Sequence, residues 1–311
     1  MGRVTVIRGG RGTIAALTFP ELFDEMKVPP RLRPLLEDGL IDEVLSQVKS
    51  GKEADVFVVR CGDQRRCAKV FKEANQRNFR QAAVYQEGRK DRSSRRSRAM
   101  SGRTRYGRKE QEKSWINAEV QALHTLADAG VRVPQPMAFV DGVLLMELIT
   151  DSEGRVAPRL GEVTLDAATA REYHEQLIGE VVRMLAAGLI HGDLSEFNIL
   201  VNGNGPVIID LPQAINAAAN QSAAMLLVRD VDRLRRFFGR FDPALLDTDY
   251  GKELWALYAS GRLYPDSRLS GRYEPDQVDV NLDELMGIID AARAEEMERR
   301  ERLRDPVEDE P

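Results

Sequence analysis

This chain has no apolar run near the ~18 residues needed to span a bilayer. The longest candidate, 142–149, reads GVLLMELI and is interrupted by Glu147. It has two cysteines and three histidines in 311 residues, with no second Cys/His cluster to complete a structural zinc site. Cys61 and Cys67 flank Gly62-Asp63 and could face each other across a hairpin; two reduced thiols are the expectation in a reducing compartment. The first residues, MGRVTVIRGGRG, contain no apolar stretch of a secretory leader. Val6 stands where an N-myristoylation signal needs Ser or Thr. From these absences follow the expectations of no membrane partner and a cytoplasmic location. Hydrophobic residues make up 42% and charged residues 31%, enough for a real core and unlike a disordered chain. The net charge of −5 argues against a general nucleic-acid coat protein.

The average hides one local extreme. Residues 89–109 hold ten basic side chains, Arg89, Lys90, Arg92, Arg95, Arg96, Arg98, Arg103, Arg105, Arg108 and Lys109, against the single acid Asp91. Such a run repels itself and lacks apolar anchors, which predicts a flexible basic loop. Residues 1–30 are Gly- and Arg-rich, then Pro-rich, and read as a flexible arm. A short helix ending at Gly39 follows, then strands at 56–60 and 67–71 joined through Gly62-Asp63. WINAEVQALHTLADAG, from Trp115, has the spacing of an amphipathic helix closing at Gly130. Two strands around Asp141-Gly142, a helix over 166–187 and short strands at 199–201 and 207–209 come next. Residues 221–239 and 250–260 are helical in pattern. The expected organisation is an N-lobe at 31–148 carrying the basic loop, a C-lobe at 149–280, and a C-terminal helix with charged tail at 281–311. The fold class is α+β: a bilobal, protein-kinase-like arrangement of a small β-sheet lobe and a larger, mainly helical lobe.

The most informative string is HGDLSEFNIL, 191–200, followed by IIDLP, 208–212. Asp193, Asn198 and Asp210 sit at strand and loop ends. A carboxylate, an amide and a second carboxylate in that order can orient a hydroxyl and hold Mg²⁺ on a nucleotide. In the kinase template the first Asp orients the nucleophile, while the Asn and second Asp hold metal. Isolated, these residue types are turn formers; between apolar strands they make a site.

VKSGKEADVFVV, 48–59, places Ser50, Gly51, Lys52 and Glu53 before a strand containing Val56. Small residues with exposed N–H groups suit a phosphate-covering turn. The string lacks both G-x-G-x-x-G and G-x-x-x-x-G-K-[ST], so alone it reads first as a surface turn with a solvated lysine. In CAKVFK, Lys69 lies on an apolar strand and must find an anion if it points inward. Phosphate oxygens and Glu119, on the helix after the basic loop, would satisfy it. Lys72, three residues on, is expected on the opposite face as a solvated charge. Turn, Lys, Glu, apolar strand, D-x-x-x-x-N and Asp form the part list of the protein-kinase fold in its order.

SGKEADVF, AKVFK, VLLMELI, HGDLSEFNIL, IDLPQA and RDVDRLRRFF together resemble the RIO family of atypical serine/threonine protein kinases. The similarity runs from about Pro30 to Tyr264 and lies nearer the first RIO subfamily and its bacterial relatives. The resemblance implies that Ser50, Lys52 and Glu53 lie over the ATP phosphates and that Lys69 contacts phosphate and pairs with Glu119. It implies Met146 as gatekeeper, with Glu147 and Ile149 offering backbone groups to adenine. It implies Asp193 as the catalytic Asp and Asn198 and Asp210 as ligands of Mg²⁺, with Mn²⁺ as an alternative. Gly192 replaces the Arg of H-R-D, and only nineteen residues separate Asp210 from Asp230 with no A-P-E among them. There is no room for a full activation segment.

The expected function is ATP- and Mg²⁺-dependent phosphorylation of protein serine, including autophosphorylation, or ATP turnover through an aspartyl-phosphate at Asp210. Two other readings stay open: an ATP-driven ribosome-assembly factor that binds a ribosomal subunit or rRNA through the basic loop, and a small-molecule phosphotransferase of the aminoglycoside-kinase type. Asp230, in RDVDRLRRFF, is expected to accept N–H bonds around His191 and Gly192, or else to cap its own helix.

Overall fold

The computed structural model describes residues 28–72 and 105–273. Most of the N-terminal arm, the basic run as far as residue 104 and the C-terminal tail lie outside the described residues.

Alternation of side chains builds the first lobe. Strands β1 (Glu43–Ser50), β2 (Ala54–Cys61), β3 (Gln64–Phe71), β4 (Pro136–Val140) and β5 (Val143–Glu147) form one antiparallel sheet in the order β1-β2-β3-β5-β4. One face carries Phe57, Val59, Ala68, Val70, Val143 and Leu145, buried against Leu32 and Leu35 of the short helical segment that includes α1 (Arg33–Glu37). The other face carries Phe71 and Leu144, which pack with Ile116, Val120 and Leu123 of α2 (Arg105–Asp128). With a period of two, Lys69 falls on this second face.

The turns follow from their residues. Asp141 and Gly142 join β4 to β5 with φ of 49° and 77°, the left-handed pair a type I′ hairpin needs. Strand β1 was not anticipated. It is an edge strand, solvent-exposed along nearly its whole length, so EVLSQVKS carries no core-facing alternation. Helix α2 begins at Arg105 rather than Trp115, so 105–109 of the expected loop are helical. Cys61 pairs with Gln64 and Cys67 with Val58; both thiols are free and do not face each other.

The second lobe is built on α3 (Ala167–Ala186), which Asp166 caps by accepting the Thr169 N–H at 2.7 Å. The hairpin of β7 (Ile199–Asn202) and β8 (Gly205–Ile208) and the pair β6 (Leu189–Ile190) and β9 (Ile215–Asn216) lie beside it. Helices α4 (Ala223–Phe238) and α5 (Tyr250–Ala259) complete the lobe. A continuous core links α2, Leu144, α3, the hairpin strands and α4. Residues 211–222 pass from the hairpin through β9 directly into α4, so the long substrate-binding segment of ordinary protein kinases has no counterpart.

His174 on α3 is enclosed, 2% exposed, with ring centroids 5.5 Å from Phe238 and 5.6 Å from Tyr250. Among the described residues its Nε2 finds no hydrogen-bond partner. Burial holds its pKa down at about 4, whereas an unfolded histidine titrates near ~6.5. On acidification the unfolded state therefore takes up the proton first. The His174 contribution to stability is complete above pH ~6.5 and is lost as pH falls toward 4. Urea midpoints measured from pH 7.5 to 4 should show this acid-side decline, and His174→Leu should flatten it; an unchanged slope would contradict the assignment.

Candidate active site

Lys69 is the junction of the two lobes. On β3 it pairs in register with Val56 of β2 and Leu144 of β5. Its ammonium donates to Glu119 Oε1 at 2.5 Å and to Asp210 Oδ1 at 2.8 Å. Glu119 comes from α2 and Asp210 follows β8, so three separate elements meet on one charge. Burial alone would push the Lys69 ammonium down; the Asp210 and Glu119 carboxylates overcome it and raise its pKa. Burial pushes Glu119 up, and Lys69 opposes that shift. Lys69 holds Asp210 at about 2. Solvent still reaches 41% of the Asp210 side chain, so water screens part of that attraction.

Asp210 has φ of 69°. A non-glycine residue in that region costs roughly 1–3 kcal/mol and persists only where its surroundings impose it. Two constraints do so: Lys69 grips the carboxylate, and the preceding Ile209 N–H donates to the Asn198 carbonyl at 2.9 Å.

The loop before β7 is held from several sides. Gly192 has φ of 79°, a left-handed conformation that favours glycine over the arginine of the H-R-D pattern. The Gly192 N–H donates to Asp230 Oδ2 at 2.8 Å, and Arg229 donates to the Gly192 carbonyl. His191 accepts the Asp193 N–H on Nδ1 at 3.2 Å and lies 3.1 Å from the Ile209 carbonyl through Nε2. That pair of contacts fixes the tautomer with the proton on Nε2. Asn198 Nδ2 donates to the Asp193 carbonyl at 2.9 Å, so the amide turns its NH₂ group, not Oδ1, to the loop backbone. Asp230 sits within α4, which begins at Ala223, so it serves the loop rather than capping its own helix.

Between the lobes lies a cleft of about 780 Å³, within the range of nucleotide-sized sites. Gly51, Lys52, Glu53, Val56, Lys69, Met146, Glu147, Ile149 and Asp210 line it. Met146 also lines a small recess behind it with Glu119 and Leu123. Ser50 is not on the cleft wall; its hydroxyl donates to Asp55 Oδ1 at 2.6 Å. Lys72 is not a free surface charge as expected. It ties the glycine turn down, donating to the Gly51 carbonyl at 2.8 Å and pairing with Asp55 at 2.9 Å. Asp193 and Asn198 stand outside the cleft wall on the adjoining loop. The Asp193 carboxylate meets Arg233 at 2.7 Å.

Three basic residues were missed by sequence reasoning. Lys49 pairs with Val56, so Lys49, Val56 and Lys69 stand in one row across the sheet. Burial lowers the Lys49 pKa and Arg159 adds to that, while Asp210 opposes it. Arg159 lines the cleft near Leu200, with which it forms an isolated bridge. Arg233 was legible in principle, because it is three residues from Asp230 and shares its helix face.

A strand lysine with its helix glutamate, a metal-type Asp after a hairpin and a templated H-G-D loop define a kinase-like phosphotransferase. The chain matches the RIO domain over residues 55–250 and belongs to that family. It is 34% identical over 208 residues to the RIO-type serine/threonine-protein kinase Rio1 of Haloferax volcanii, covering 66% of this chain and 67% of that one. Against the human serine/threonine-protein kinase RIO1 the identity is 30% over 235 residues, covering 71% of this chain but only 38% of the relative. The Rio2 kinase–ADP/Mg²⁺–phosphoaspartate complex from Chaetomium thermophilum superposes with a TM-score of 0.48 at 26% identity, over 68% of this chain and 59% of that one.

Asp230 is 2% exposed, and burial pushes its carboxyl up against the opposing pull of His191 and Arg229. Asp230→Ala removes the carboxylate that accepts the Gly192 N–H and faces Arg229 at 3.5 Å, a change that costs about 3–5 kcal/mol for buried pairs. Chemical denaturation should show a loss of that order for Asp230→Ala and a smaller one for Asp230→Asn, which keeps an acceptor oxygen. Equal stability of Asp230→Ala and the parent would remove the templating role.

Proposed function

We propose that this chain binds MgATP in the interlobe cleft and transfers its γ-phosphate to protein serine, its own included. The observation that carries the reading is the buried Lys69 ammonium shared by Glu119 and Asp210 at the wall of a nucleotide-sized cleft. Ile149 uses its carbonyl to accept the Ala157 N–H, and Glu147 uses its N–H to donate to Gln135. The groups assigned to adenine are therefore the Glu147 carbonyl and the Ile149 N–H. Lys49, Lys69 and Arg159 around one cleft repel each other, and a triphosphate relieves that repulsion.

The Ile209–Asn198 backbone bond ties the residue before Asp210 to Asn198, and Asn198 Oδ1 and the Asp210 carboxylate are both hard oxygen donors. One carboxylate and one amide, completed by phosphates and water, suit Mg²⁺ and are equally open to Mn²⁺. The bound metal would neutralise phosphate charge. Lys69 orients the phosphates, and the Asp193 carboxylate orients the acceptor hydroxyl; such positioning supplies most of the rate in this chemistry.

An alternative first step has Asp210 as nucleophile: its carboxylate oxygen bonds to the γ-phosphorus, the bond to the β-bridging oxygen breaks, and ADP leaves. One feature favours it: residues 211–222 provide no peptide platform. Water or a hydroxyl then releases the phosphate. Free thiols at Cys61 and Cys67 suit a reducing, ATP-rich cytoplasm. No helix among the described residues is long and apolar enough to cross a membrane. The ten basic side chains at 89–109 support a further role on a ribosomal subunit or rRNA, which co-sedimentation with and without ATP tests.

Incubation with γ-labelled ATP should label the protein, and Asp193→Ala should cut transfer to serine by roughly 10²-fold or more. Label removed by hydroxylamine assigns the acyl phosphate at Asp210; resistant label on Ser93, Ser94, Ser97 or Ser101 assigns direct transfer. No label and no ADP release in the parent protein would overturn the kinase reading.

A further inference from the structure

Helix α4 presents Arg229, Asp230 and Arg233 to the H-G-D loop. Asp230 and Arg229 hold the loop's backbone, through the N–H and the carbonyl of Gly192. Arg233 does something different. Its Nη1 donates to the side chain of Asp193, to Oδ1 at 2.7 Å, and lies 4.0 Å from Asp230 Oδ1. The contact is a charge-assisted hydrogen bond from a planar, permanently charged donor.

Nothing within the loop can do this. Residues 192–198, GDLSEFN, contain no lysine or arginine, and the position before Asp193 must be glycine at φ of 79°. Asp193 therefore receives its cation from another element. The two side chains are 41% and 38% exposed, and ion pairs that open to water contribute little to fold stability. The pair's consequence falls on the orientation of the carboxylate.

We propose that Arg233 is a positioning residue for phosphoryl transfer: it holds the Asp193 carboxylate by Oδ1 and thereby presents Oδ2 to the acceptor hydroxyl. This rests on the kinase reading above. Without Arg233 the carboxylate rotates among its side-chain conformers, and a small misplacement of an orienting group costs up to about 10²-fold in rate.

The test uses the full chain, MgATP and a hydroxyl acceptor, with Arg233→Met to keep the aliphatic stem and Arg233→Lys to keep a charge without the planar fork. Arg233→Met should lower kcat by roughly 10- to 100-fold with KM for ATP and thermal midpoint unchanged, and Arg233→Lys should restore part of the loss. In an Asp193→Asn background, Arg233→Met should have no further effect on the residual rate, because its only route to the chemistry is then already removed. An unchanged kcat in Arg233→Met overturns the proposal. So does the same fractional loss in both backgrounds, which makes Arg233 a structural residue. If Asp193→Asn itself keeps the parent rate, the kinase reading fails at Asp193 and the proposal with it, a result distinct from failure of Arg233 alone.

Discussion

A lysine ammonium removed from water must be matched by negative charge, and in this protein the match is divided between two elements that share no other chemistry. Lys69 comes from a central strand, Glu119 from the helix over that strand, and Asp210 from the end of a hairpin in the other lobe. Taking away Lys69 leaves the buried Glu119 carboxylate without its cation in a low-dielectric setting, which is more costly than never having built the pair. The charge thus binds helix to sheet and lobe to lobe. It also leaves an ammonium and a carboxylate at the cleft wall, the pair a metal–phosphate complex can exchange into.

The second lobe spends its regular structure on holding a few residues in conformations they would not choose. Gly192 and Asp210 both have positive φ. They are joined by His191, which touches the Ile209 carbonyl and the Asp193 N–H, and by Asn198, which bridges the loop and the strand end. Helix α4 lies beneath, with a buried carboxylate and two arginines aimed at the same few atoms. Strain and buried polarity gather at one place because that place must be rigid before substrate arrives. The short 211–222 connection keeps the site compact and removes the element through which ordinary protein kinases grip peptides.

Much of this was legible in the residues. Lys69, Asp193, Asn198 and Asp210 announce themselves because charged or amide side chains interrupt apolar strands at kinase-like spacings, and the hairpin turns are written in Gly62-Asp63 and Asp141-Gly142. Strand β1 was not legible: an exposed edge strand has no face to bury, so no alternation marks it. Nor were the through-space partners. Lys49 reaches the site by cross-strand register, Lys72 by folding back on the glycine turn, and Arg233 by a helix crossing a loop forty residues earlier. Ser50 shows the converse. Its place in a recognised string suggested phosphate, yet its hydroxyl serves Asp55. Local pattern identifies the chemistry; long-range packing decides which neighbours tune it.

The proposed binding of MgATP requires that Lys69 exchange one of its two carboxylates for nucleotide phosphate. A structure determined with Mg²⁺ and a non-hydrolysable ATP analogue tests it most directly. In that complex Lys69 should keep Glu119, leave Asp210 and meet phosphate oxygens, while Asp210 and Asn198 turn to the metal. Nucleotide bound elsewhere, or Lys69 still bridging Glu119 and Asp210 beside a bound triphosphate, would contradict it.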